Sequence, residues 1–386
     1  MATSNPGLQF TFSIPTKIVL GLGVLDTIGT QTKSLGFKHP LIVTDKIMSQ
    51  SDGMKQIRGK LSEAGVEAVV WDGIAAEPFD TTLTEGVQRY RAERCDGLIG
   101  FGGGSAMDTA KGVGVLAVVG EDDPTPYQRF GGKTVPGCVP VIAIPTTAGT
   151  GSEVTSVCVL TSQRHGHKLP IAHPSLLPKI AVVDPQLMLS MPSKVTMVTG
   201  IDALSHAVEC FTKVREHPFA DTLALQATKL IVENLPAAVK NGQDATARTN
   251  MALAATMAGT AFEVGGLQFH AYAQALGAKF HAPHGLTCGI ALRAGLRQIL
   301  PTATAKLARM AWAFNIDTRG MTQEQAAQRA VDTATTFISA MGIPKITEAM
   351  PTKQTDIPML KKETLETTGV PITPEMAEAV WQEIYR

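Results

Sequence analysis

The chain has 386 residues, 44% of them hydrophobic, with 34 Lys plus Arg against 34 Asp plus Glu. That length and apolar content suit two domains with sizeable cores, and the balanced charge leaves no basic field for nucleic acid and no polybasic segment for an anionic membrane. Single, scattered cysteines (Cys95, Cys138, Cys158, Cys210, Cys288) fit reduced thiols, and with neither a signal-peptide start nor an apolar run near the ~20 residues of a membrane span, the expectation is a soluble cytoplasmic protein.

Short apolar runs bounded by Pro, Gly and Asp predict strands at 40–44, 67–71, 97–101, 140–144 and 180–183. Between them, 53–64 and 82–94 carry apolar positions at helical spacing, as crossover helices on a parallel sheet do. From about residue 187 the texture changes to Ala-, Leu- and Met-rich helical stretches at 221–239, 245–262, 303–314 and 323–340. The fold class expected is therefore an α/β dinucleotide-binding domain with a parallel sheet over 1–187, followed by an all-α domain over 188–386. Prolines mark the boundary, with no flexible linker, so a cleft between the domains is the expected ligand site.

Gly102-Gly103-Gly104-Ser105 follows a predicted strand and opens a predicted helix. Such glycines let the backbone approach a pyrophosphate at a helix N-terminus; a plain tight turn is the alternative. Ser105 and Asp108 have capping-box spacing. Asp45 closes the strand at 40–44, where an acidic residue either hydrogen-bonds an adenosine ribose, favouring NAD over NADP, or caps the next helix. The hydroxyl-rich run from Pro145 to Thr155 suits a cofactor-lining loop.

Asp202 and His206 lie four apart, on one face of a helix. His270 and His284 could complete a set of one carboxylate and three imidazoles, a donor mixture that suits Fe²⁺ or Zn²⁺ better than Ca²⁺ or Mg²⁺. Taken singly, each pair occurs by chance.

The strings carrying these residues resemble the iron-containing (group III) alcohol dehydrogenases. Gly200-Ile-Asp202-Ala-Leu-Ser-His206-Ala-Val-Glu209 is similar to that family's first metal motif, and His270 with Pro283-His284-Gly285 to its second. The glycine run through Lys111, the 145–155 loop, Lys168, Pro178 and Asp184-Pro185 follow in family order, so the likeness spans nearly the whole chain. The resemblance implies NAD(P)-dependent interconversion of an alcohol and an aldehyde or ketone, and the reading adopted is hydride transfer between NAD(H) and a small primary alcohol or its aldehyde. It assigns Asp202, His206, His270 and His284 to the metal, Gly103, Gly104 and Ser105 to the pyrophosphate, Asp45 to the ribose, and Thr146, Thr147, Thr150 and Lys168 to the cofactor wall. A homodimer or higher homo-oligomer is expected as the commonest closed arrangement.

Two departures stand out. Gln274 occupies a position where many members carry a further histidine, and His281 stands three before His284. We read His281 as the group exchanging the alcohol proton and Gln274 as a hydrogen-bond donor to substrate, against a plain surface histidine. Glu77-Pro78-Phe79 replaces the family's usual Asn-Pro-Thr beside the cofactor. Arg164, His165 and His167 offer charge for an anionic (sulfonate, carboxylate or phosphonate-bearing) aldehyde, with a solvated loop as the alternative. Glycerol dehydrogenase-like and dehydroquinate synthase-like activities share the domain plan and rank below.

Overall fold

The computed structural model describes residues 9–75, 79–163, 166, 168–213, 216–367 and 372–386. Eight strands are formed: β1 Lys17–Leu20, β2 Leu41–Asp45, β3 Val69–Ile74, β4 Leu98–Gly102, β5 Val141–Pro145, β6 Val157–Thr161, β7 Lys168–Ala172 and β8 Ile180–Val183. The helices of the first half are α1 Ile28–Ser34, α2 Asp52–Glu63, α3 Thr81–Ala92 and α4 Gly104–Val119. Six strands make one parallel sheet in the order β1-β8-β5-β4-β2-β3. Successive side chains of a strand point to opposite faces, and the sheet uses both. Leu41, Val43, Leu98 and Val141 pack with Leu83 and Val87 of α3 and Val113 of α4. Ile42, Ile99, Phe101 and Ile142 pack with Ile28 of α1 and Ile57 of α2. Burial on both faces is why these strands read as unbroken apolar runs.

After β2 the chain moves outward to β3, and after β4 it moves the other way to β5. That reversal opens a crevice at the carboxyl ends of β2 and β4, where ligands of doubly wound sheets bind.

From residue 193 onward only helices follow among the described residues: α5 Ser193–Thr212, α6 Pro218–Lys240, α7 Ala245–Gly265, α8 His270–Phe280, α9 His284–Ile299, α10 Thr304–Met310, α11 Gln323–Ala340, α12 Ile346–Ala349, α13 Ile357–Thr367 and α14 Pro374–Ile384. Their shared core also takes Ala148 and Val154 from the loop after β5, so sheet and helices are not independent layers. Trp381 of α14 is fully buried and donates Nε1–H to Thr364 Oγ1 of α13 at 3.2 Å. Trp381→Ala would cost about 3–5 kcal/mol by the cavity it leaves.

Several expectations need correction. The strands predicted at 40–44, 97–101 and 140–144 each lie one residue further on, and the one at 67–71 is shifted to Val69–Ile74. The helix predicted over 303–314 ends at Met310, because a chain of tight turns replaces it through Phe314. Edge strand β1 and the antiparallel hairpin β6–β7 were not anticipated. The Ser105/Asp108 capping box is absent: α4 starts two residues earlier than that box requires, with Gly103 as a side-chain-free N-cap, and Asp108 instead accepts from Ser152 Oγ at 2.5 Å and Val159 N at 2.9 Å.

Candidate active site

The crevice is lined by the three strand ends that the sheet order brings together. Gly104 begins α4 so close to the loop after β5 that an added Cβ would fall 2.7 Å from Thr150 Cγ2. Thr147 lies beside Gly103, and Thr146 N donates to Gly102 O at 2.9 Å. Ser105 follows in the first turn of α4. Asp45, at the end of β2, accepts from Ile47 N at 2.8 Å and Met48 N at 2.9 Å through Oδ1 alone. Its Oδ2 faces Gly102, 3.8 Å from where a Cβ would sit. Turn-capping is thus observed for Asp45, and one carboxylate oxygen is left toward the glycine turn. Glu77 and Pro78, and the cationic trio Arg164, His165 and His167, lie outside the described residues.

The loop after β5 carries the crevice to the helices. Thr256 Oγ1 of α7 donates to Glu153 Oε1 at 2.9 Å, and Ser156 N to Glu263 Oε2 at 2.8 Å. Behind it, three helices meet. One turn of α5 separates Asp202 from His206, His270 is the first residue of α8, and His284 the first of α9.

Asp202 Oδ1 is the hub. It lies 3.6 Å from His206 Nε2, 3.5 Å from His270 Nε2 and 3.7 Å from His284 Nε2. The His206 and His270 rings stack with centroids 4.6 Å apart, and Phe262 backs His206 at 4.8 Å. Cys288, one turn beyond His284 on α9, points into the same space. Donor atoms of Asp202, His270, His284 and Cys288 all lie within 4.8 Å of one another.

The electrostatics of the cluster are set by burial and mutual charge. Burial alone would raise the Asp202 pKa, but the three imidazoles outweigh it and hold the carboxyl well below its usual range. Burial depresses His206, and it depresses His284 to about 3, with the Lys168 charge adding to it. Burial likewise disfavours a His270 cation, yet Cys288, Glu209 and Asp202 together pull its pKa well up. Burial pushes the Cys288 thiol up to about 12. An ionised carboxylate among imidazoles, two of them held neutral, is the charge state in which such groups ligate a cation. The donor set fits a first-row divalent ion.

Glu209 is the residue that sequence reasoning overlooked, although it closes the string GIDALSHAVE. It is fully buried one turn beyond His206 and accepts from Ser205 Oγ at 2.6 Å and His270 Nδ1 at 2.7 Å. It also accepts from the backbone N–H of Gln268 (2.9 Å), Phe269 (2.5 Å) and His270 (3.1 Å). Burial opposes its charge, but His270 and these donors hold its pKa down at about 2. A carboxylate on Nδ1–H makes Nε2 the nitrogen of His270 that faces Asp202 and that a cation would engage on displacing its proton. Cys288 was overlooked too; its i+4 spacing from His284 was the available signal. Gln274 lies half-buried one turn past His270. His281 is exposed and ends α8 in a left-handed conformation, φ 50°.

A doubly wound sheet with a glycine turn at its switch point, opening toward a buried carboxylate–imidazole cluster, fits the class of enzymes that pair a dinucleotide with a metal ion. Comparison with known proteins narrows the class. Residues 15–185 match the iron-containing alcohol dehydrogenase family, and residues 196–385 match the C-terminal region of the Fe-containing alcohol dehydrogenase family. The chain is 36% identical over 367 residues to the NAD-dependent methanol dehydrogenase of Bacillus methanolicus, covering 95% of this chain and 96% of that one. It is 36% identical to the 1,3-propanediol dehydrogenase of Citrobacter freundii, covering 93% of each. A crystal structure of a 1,3-propanediol oxidoreductase superposes with a TM-score of 0.91 at 32% identity, over 98% of this chain and all of that one. The chain belongs to the iron-containing alcohol dehydrogenase family and is an alcohol dehydrogenase.

Proposed function

We propose that this protein interconverts a small primary alcohol and its aldehyde by hydride exchange with NAD(H), at a first-row divalent cation, Fe²⁺ or Zn²⁺, held by Asp202, His206, His270 and His284. The observation that carries this reading is the convergence of three imidazole nitrogens within 3.7 Å of one oxygen of Asp202. A cation in that site supplies Lewis acidity to the substrate oxygen in either direction.

The chain's own residues do the rest. Gly103, Gly104 and Ser105 offer the helix N-terminus to the pyrophosphate, with Thr146, Thr147 and Thr150 closing the wall. Asp45 keeps Oδ2 for the adenosine ribose, and its charge opposes a 2′-phosphate, which favours NAD over NADP. Lys168, at the start of β7, sits close enough to bear on His284. Gln274 donates a hydrogen bond to the substrate, and His281, at the solvent side of α8, passes the alcohol proton to water. The boundary near residue 187 separates cofactor binding from metal and substrate binding, with the reaction between the two parts. No described helix is long and apolar enough to cross a membrane.

A homodimer is supported by the apolar groove of about 610 Å³ beside edge strand β1, lined by Phe12, Ile14, Ile18, Phe219 and Met257. Metal analysis after anaerobic purification, joined to NADH oxidation over small aldehydes, tests the whole reading. We expect stoichiometric metal and activity that chelators abolish. Full activity in the Asp202→Ala variant or in a metal-free preparation overturns it.

A further inference from the structure

Cys288 sits where a donor would. Its Sγ lies 3.4 Å from Asp202 Oδ1 and 3.5 Å from Nε2 of both His270 and His284. Neighbouring donors that share one ion at bonds of ~2.0–2.3 Å lie roughly 2.9–3.8 Å apart. All three sulfur distances fall in that interval, as do the distances from Asp202 Oδ1 to the imidazoles. A thiol that merely filled core volume would face carbon, and one that only hydrogen-bonded has one proton to donate and accepts only weakly. This sulfur instead meets three donor atoms at once. Its position is also fixed: Cys288 is fully buried one turn along α9 from His284, so both side chains leave the same helical face.

We propose that Cys288 is a further ligand of the cation, bound as thiolate in addition to Asp202, His206, His270 and His284. The proposal rests on the metal site inferred above. On binding, the Sγ–H bond breaks, its proton leaves to solvent, and the sulfur lone pair forms the metal–sulfur bond; no electron is transferred. A coordinating thiol is deprotonated outright by the ion it binds. The consequence is selectivity. A soft sulfur favours Zn²⁺ and other thiophilic ions over Mn²⁺ and Mg²⁺, which prefer oxygen.

The test is Co²⁺ titration of the chelator-stripped full chain, with bound cobalt counted by elemental analysis. We expect one Co²⁺ per chain and an intense near-ultraviolet thiolate-to-cobalt charge-transfer band. Cys288→Ser should retain the cobalt and lose the band, and should weaken Zn²⁺ on the order of tenfold or more while leaving Mn²⁺ nearly unchanged. X-ray absorption of the wild-type zinc protein should show a sulfur neighbour at ~2.3 Å, a readout that needs no variant. Bound cobalt with ligand-field bands alone, or a band that survives Cys288→Ser, overturns the thiolate and leaves the metal site standing. A chain that binds no cobalt overturns the metal site and this proposal together.

Discussion

Replacing Glu209 by Gln removes one charge and keeps the shape, and the hydrogen bonds dictate the outcome. Oε1 receives Ser205 Oγ–H and His270 Nδ1–H, while Oε2 receives three backbone N–H groups. An amide has one acceptor end. With its NH₂ at the Oε2 position, three backbone donors face a donor. With its NH₂ at the Oε1 position, His270 Nδ1 must become the acceptor, its proton moves to Nε2, and the nitrogen facing Asp202 can no longer ligate. Either way a buried donor is stranded, at a cost of about 1–3 kcal/mol, and the His270 tautomer is no longer enforced. Loss of such an outer partner weakens metal affinity roughly 10–100-fold. Competition with a chromogenic chelator measures this for Zn²⁺, and thermal unfolding of the metal-free protein should fall by a few degrees. A Glu209→Gln protein that holds zinc as tightly as wild type would refute the reasoning, whatever its activity.

Further outcomes follow from the same geometry. His281→Ala should lower turnover in a pH-dependent way with metal content intact; an unchanged pH–rate profile disposes of its proton-exchange role. Asp45→Ser should raise the KM for NADH about tenfold and narrow the preference against NADPH, since a charge-assisted hydrogen bond is worth roughly 1.5–3 kcal/mol; steady-state kinetics with both cofactors decides it. The Glu209 pKa, held at about 2 in the fold against an ordinary 4.5, contributes stability that is present above pH 4.5 and lost as pH falls toward 2. Denaturant midpoints of the metal-free protein should therefore drop across that window, and drop less in Glu209→Gln. Sedimentation should give a dimer that Ile18→Asp dissociates.

The sheet was legible because its strands are buried on both faces and therefore spell continuous apolar runs. β1 escaped notice because it is a four-residue edge strand with exposed Lys17 and Ile18, and β7 because Pro170 sits inside it. Pro170 is accommodated there because the hairpin has only two strands and so leaves an unpaired edge. In the site, Asp202 and His206 were readable as a helical i,i+4 pair. Glu209 was not, since spacing along one helix does not reveal which buried polar group faces a histidine some 60 residues away, whereas Cys288 had its i+4 spacing from His284 to betray it. The capping-box spacing of Ser105 and Asp108 misled for a related reason: a pattern local to the helix lost to a long-range demand, the anchoring of Ser152 and Val159.

Gly285, next to His284, is packed so that a Cβ there would lie 1.8 Å from the carbonyl oxygen of Val198 on α5. At this point the helix bearing Asp202 and the helix bearing His284 are thus seated backbone against backbone. Even a single methyl at position 285 does not fit. Any side chain at position 285 would therefore push the two ligand-bearing helices apart and, with them, Asp202 from His284.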